Sequence, residues 1–259
     1  MTAAPTPPTP LVPHADIRAA YQQALVSRER RAAGGDRPRG YKVGFTNRAT
    51  WPKLGVDAPM WGTVWDSTLT LLPEAQAAEG TLSITGLAEP RVEPELVVRL
   101  AATPPDGATV EQLFECLDWV APGFELVCAR HAGWVFNVPE ALAGGGAHAH
   151  LLVGTRVPAR ALAASGREFD QRLSATGLAL YRDDDVAERG SGAAVLDGPL
   201  SSLQALQSLL ADLPGAPQLA AGDVITTGTW TAAWAVQPGQ TWRAVFEAPV
   251  APLSVRISG

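Results

Sequence analysis

At 259 residues with 46% hydrophobic content, the chain can bury one sizeable core and is not of disordered composition. A net charge of −6 and the lack of a large Lys/Arg cluster exclude nucleic acid as the main partner, and Arg28, Arg30 and Arg31 read as a solvated helix face. No stretch reaches the length of a membrane span, no secretory signal opens the chain, and Cys116 and Cys128 make no disulfide framework, so a cytoplasmic protein is the expectation.

Residues 1–13 are Pro/Thr-rich and read as a flexible tail; the remainder, 14–259, reads as a single domain. Within it, about 14–75 forms an N-terminal α/β subregion and about 76–259 a strand-rich core. Ile17, Ala20, Tyr21, Ala24 and Leu25 have helical spacing behind an Asp16 cap, and Gly34-Gly35-Asp36 ends that helix. A strand over Tyr41–Thr46, a helical turn at Trp51–Leu54, and strands at Gly62–Trp65 and Leu69–Leu72 follow. Pro90–Val98 reads as a strand, Thr109–Leu117 as a helix, and Phe124–Cys128 as a strand. Gly144-Gly145-Gly146 marks a loop before the strand Leu151–Val153. A hairpin surrounds Asp183-Asp184-Asp185, and Ser201–Leu213 is an amphipathic helix with its leucines on one face. Strands close the chain at Asp223–Thr227, Trp234–Val236, Trp242–Phe246 and Leu253–Ile257. Connections are too short for a regular βαβ series, which predicts an α+β fold with a mixed or mostly antiparallel sheet and flanking helices.

Glu93 and Glu95 are two residues apart on a predicted strand and so share a face. A hard cation such as Mg²⁺ or Mn²⁺ would relieve their repulsion; two solvated acids on an edge strand are the bland alternative. Glu125 lies in the apolar run Gly123–Val127, where a carboxylate needs a partner. Lys42, between apolar neighbours, is a candidate proton-transfer or carboxylate-binding group, and apolar surroundings plus a nearby metal would depress its pKa; a structural ion pair is the other reading. His148 and His150 read as loop residues and not as a metal pair, for want of a third soft ligand. Asp57 either orients a loop near the site or is a turn residue. Arg130 either pairs a buried carboxylate or serves a substrate.

Several segments, taken in order, resemble the fumarylacetoacetate hydrolase superfamily, closest to its 2-keto-4-pentenoate hydratase and 4-oxalocrotonate decarboxylase branch. They are Tyr41-Lys42-Val43-Gly44-Phe45-Thr46, Leu54-Gly55-Val56-Asp57-Ala58-Pro59, Pro90-Arg91-Val92-Glu93-Pro94-Glu95, Phe124-Glu125-Leu126-Val127 with Arg130, Gly190–Leu196, and Thr226-Thr227-Gly228-Thr229-Trp230-Thr231. The resemblance implies a mixed β-roll with flanking helices and a site for Mg²⁺ or Mn²⁺ made by Glu93, Glu95 and Glu125. It also implies Lys42 in the active site, Thr229 binding the substrate carboxylate, and homo-oligomerisation, with association to a homologous hydratase or decarboxylase conceivable. The implied activity on a small 2-oxo acid is hydration of a 2-hydroxy-2,4-dienoate. Decarboxylation of a 2-oxo-enedioate, action on another 2-oxo acid, or service as a partner subunit are the alternatives. Two stretches depart from the branch: Cys128-Ala129 replaces an acid and a hydroxyl, and Gly144-Gly145-Gly146-Ala147-His148 replaces a polar D-N-A-S-S-like loop.

Overall fold

The computed structural model describes residues 11–129, 132–134 and 137–259, so most of the expected tail and Arg130 lie outside the described residues. The elements run α1 (His14–Ala33), β1 (Pro38–Gly44), α2 (Trp51–Leu54), β2 (Met60–Trp65), β3 (Leu69–Leu71), β4 (Glu79–Ser83), β5 (Arg91–Leu100), α3 (Val110–Glu115) and β6 (Leu117–Val127). There follow α4 (Val138–Ala143), β7 (His148–Val153), β8 (Val157–Pro158), α5 (Gly166–Ala175), β9 (Gly177–Arg182), β10 (Asp185–Ser191), α6 (Pro199–Ala211), β11 (Val224–Thr229), β12 (Trp234–Ala235), β13 (Thr241–Phe246) and β14 (Leu253–Ser258).

The strands form two sheets. The larger is ordered β2-β1-β11-β5-β6-β7-β3, with β12 beside β5 and β8 beside β6; the smaller is ordered β10-β9-β13-β14-β4. Both mix parallel and antiparallel pairs, as the short connections predict. Strands from before residue 76 thread into the same sheet as β5, β6 and β11, so the N-terminal segment helps to build the site.

Alternation along β5 explains the position of the site. Val92, Leu96, Val98 and Leu100 face the main core, shared with Phe124, Leu126, Phe169, Leu203 and Leu206. Glu93 and Glu95 lie on the opposite face, in line with Val97, which joins Val64, Ala121, Leu151, Val153 and Val224 in a smaller apolar cluster. That cluster floors the carboxylates from one side. Pro94 offers no N–H to a ladder, and the pairing of β11 with β5 slips between Thr226 and Thr229, opposite Leu96. This bulge carries Gly228 at φ 119°, and a Cβ there would stand 2.2 Å from Thr46 Oγ1, so only glycine fits.

Some elements differ from the sequence reading. α1 begins at His14 behind Pro13, with Asp16 inside its first turn and not at its cap. β6 starts at Leu117, seven residues before the expected strand, because its pairing with β5 and β8 extends the sheet. α4 and α5 had no predicted counterpart. Among the described residues, no helix is long and apolar enough to cross a membrane.

Candidate metal centre and active site

Strand register brings the three acids together. β5 and β6 pair antiparallel with Glu93 directly opposite Glu125 and Glu95 opposite Gly123. One carboxylate oxygen from each of Glu93, Glu95 and Glu125 lies within 4.8 Å of the others. Lys42 arrives from β1, whose parallel pairing with β11 sets it opposite Thr226. Its Nζ stands 3.3 Å from Glu125 Oε2, both side chains being all but fully buried.

Each of two acids has one oxygen already engaged. Glu95 Oε2 accepts from the Gly228 backbone N–H at 2.6 Å and from the Thr226 hydroxyl. Glu125 Oε1 lies 2.7 Å from His148 Nδ1. Glu125 Oε2 is buried and has no hydrogen-bond partner.

The electrostatics are those of crowded, buried carboxylates around one lysine. Burial, with repulsion from Glu125, pushes Glu93 up to about 7 despite attraction to Lys42. Burial and then repulsion from Glu125 and Glu93 hold Glu95 well above the ordinary carboxylate range. Glu125 moves the other way: burial opposes its charge, but Lys42 and His148 outweigh it and lower its pKa. Burial alone would lower Lys42, yet the three surrounding carboxylates reverse this and raise it. The acids across the sheet therefore act on Lys42 beside its apolar sequence neighbours.

A hard divalent cation fits this donor set. Three convergent carboxylates, one with a buried oxygen facing Lys42 and outside hydrogen-bond geometry, supply hard oxygen ligands without a thiolate, the set suited to Mg²⁺ or Mn²⁺ and not to Zn²⁺. Glu93 and Glu95 open with Lys42 onto a cavity of about 370 Å³, walled by Phe45, Met60, Trp134, Trp230 and Ala233 among others.

The remaining expected residues divide. Thr229 lines the cavity, but its hydroxyl is engaged within its own turn, donating to Thr231 O at 3.0 Å. Asp57 is exposed, stands 3.4 Å from His14 Nε2 and is absent from the cavity lining. His148 is not a loop residue: it is the first residue of β7, its side chain is 3% exposed, and it contacts a carboxylate of the triad. His150 instead pairs with Thr70 Oγ1 at 2.9 Å. Sequence reasoning also passed over Glu188, which lines the cavity and accepts from Ala232 N and Trp234 Nε1. A carboxylate in the alternating strand behind Asp183–Asp185 offered no signal separating it from a solvated one.

The sheet, with three acids and a lysine on one face, is that of a known class of enzyme fold. The chain belongs to the fumarylacetoacetate (FAA) hydrolase C-terminal family, which matches residues 57–252. It is 30% identical to the 4-oxalocrotonate decarboxylase of Pseudomonas putida over 85% of this chain and 78% of that protein. It is 28% identical to the 2-keto-4-pentenoate hydratase of Paraburkholderia phymatum over 91% of this chain and 84% of that one. Among solved structures, the 4-oxalocrotonate decarboxylase from Pseudomonas putida G7, complexed with magnesium and adipate, superposes with a TM-score of 0.79. That match has 28% identity and covers 92% of this chain and 84% of the other.

Proposed function

We propose that the protein is a divalent-metal-dependent lyase that hydrates a 2-hydroxy-2,4-dienoate to a 4-hydroxy-2-oxo acid, with Glu93, Glu95 and Glu125 holding Mg²⁺ or Mn²⁺. The observation that carries the reading is the buried carboxylate triad with Lys42 beside it, at the edge of a cavity. The metal would supply Lewis acidity, polarising the keto and carboxylate oxygens of a 2-oxo acid. In hydration the 2-hydroxyl proton leaves and a proton reaches C5; water then adds its hydroxyl at C4 and a proton at C3. Lys42 is suited to these transfers, since it lines the cavity beside the triad.

Lys42 is the only cation among the described residues that line the cavity. A second reading, decarboxylation of 4-oxalocrotonate, draws on the 30% identity to the Pseudomonas putida decarboxylase. Cytoplasmic location and homo-oligomer formation remain part of the proposal by likeness to the family.

The ultraviolet band of 2-hydroxypenta-2,4-dienoate distinguishes these readings. With the protein and Mg²⁺ the band is expected to disappear, and to persist when the metal is chelated. A band unchanged with metal, together with release of CO₂ from 4-oxalocrotonate, would replace hydration by decarboxylation.

A further inference from the structure

The glycine-rich departure from the family pattern places a histidine behind the metal triad. Gly62 of β2 packs so closely on the turn before β7 that a Cβ would lie 2.3 Å from Gly145 O. Gly145 and Gly146 adopt φ values of 82° and 75°, which glycine tolerates best. Ala147 O then accepts from Cys128 N at 3.0 Å, joining this turn to the second departure from the pattern. β7 begins at the next residue. Its register with β6 shifts between Leu126 and Val127, and His148 reaches Glu125 from there.

The contacts of His148 form a directed chain. An imidazole lone pair facing a carboxylate oxygen would repel it, so Nδ1 carries a proton and donates to Glu125 Oε1 at 2.7 Å. On the far side of the ring, Nε2 lies 2.9 Å from Thr68 Oγ1, and Trp65 N donates to that hydroxyl at 3.1 Å. Both ring nitrogens are therefore committed, and the ring cannot turn without losing two hydrogen bonds in a side chain that is 3% exposed. Glu125, with 0% exposure, has Oε1 held on the side of β7 and Oε2 free of hydrogen bonds near Lys42.

We propose that His148, braced by Thr68, is a positioning residue that holds Glu125 by one oxygen so that only the other is presented to the metal. A carboxylate free to rotate can bind a cation through both oxygens, occupying a position a chelating 2-oxo acid needs. Glu95 follows the same arrangement from the other side, with Thr226 and Gly228 on its Oε2. The two acids then present one oxygen each. Outer hydrogen-bond partners of this kind orient ligands and tune their basicity. The inference rests on the metal-site reading above, but not on which 2-oxo acid is the substrate.

Mn²⁺ binding to the purified full chain, followed by electron paramagnetic resonance of the free ion, tests it without turnover. His148→Leu is expected to weaken Mn²⁺ binding by about 10–100-fold, while His148→Asn, which keeps an N–H near Nδ1, recovers most of the affinity. Thr68→Val, which loosens the ring and leaves Glu125 its donor, is expected to weaken binding less but in the same direction. Wild-type affinity in a folded His148→Leu protein would overturn the proposal, as would a His148→Asn protein no better than His148→Leu. Should His148→Leu fail to fold by circular dichroism, Thr68→Val decides: reduced affinity supports the brace and unchanged affinity refutes it. A wild-type protein that binds no Mn²⁺ would remove the metal site itself and this role with it.

Discussion

A Glu95→Ala variant is expected to lose Mn²⁺ binding and turnover together. Glu95 is 1% exposed and brings one of the three convergent carboxylates. Removing it takes away a hard ligand and leaves the Gly228 N–H and the Thr226 hydroxyl without their acceptor. Polarisation of the substrate oxygens by a bound metal is worth several kcal/mol, so the rate should fall by on the order of 10³-fold or more. Calorimetric titration with Mn²⁺ beside a dienoate assay checks both losses. Full activity with abolished metal binding would show that the triad serves structure alone. The fold itself should survive, since relieving the crowding of buried like charges offsets the lost hydrogen bonds.

Lys42→Met is expected to separate binding from chemistry. Methionine fills much of the aliphatic volume of lysine without its charge, and the three carboxylates remain in place. Mn²⁺ should still bind, because the removed ammonium competes with the cation for the same acids. Loss of a positioned proton-transfer group costs typically 10²–10⁴-fold, so kcat should fall by about that factor. Steady-state kinetics with saturating metal measure the effect. A variant with unchanged kcat would assign Lys42 to the structural ion pair, the other reading of its sequence position.

The legible parts of this protein were those governed by local periodicity. The spacing of Glu93 and Glu95 put both on one strand face without any knowledge of the partner strand, and β5 confirms that placement. α6, with leucines at helical spacing, stands within two residues of its expected ends. The mixed sheet followed from connections too short for repeated crossovers.

What escaped depends on pairing across long sequence separations. His148 follows three glycines, a composition that reads as loop; its importance arises from the register of β7 with β6, invisible along the chain. The carboxylates around Lys42 were hidden for the same reason, since Val43 beside it is adjacent in sequence and the three acids are not. α5 had a local signal that went unread: Ser165 Oγ accepts from Glu168 N while Glu168 accepts from Ala164 N, a reciprocal arrangement at a helix start. β6 was cut short because Leu117 follows directly on helix α3, and only its pairing with Leu100 marks it as strand.

The most direct measurement is anomalous diffraction from crystals of the protein soaked in Mn²⁺ with a non-reactive 2-oxo acid. The account predicts one strong manganese peak among the carboxylates of Glu93, Glu95 and Glu125, with the acid bound against it in the cavity beside Lys42. A peak at another site, or an empty triad at saturating Mn²⁺, would contradict it.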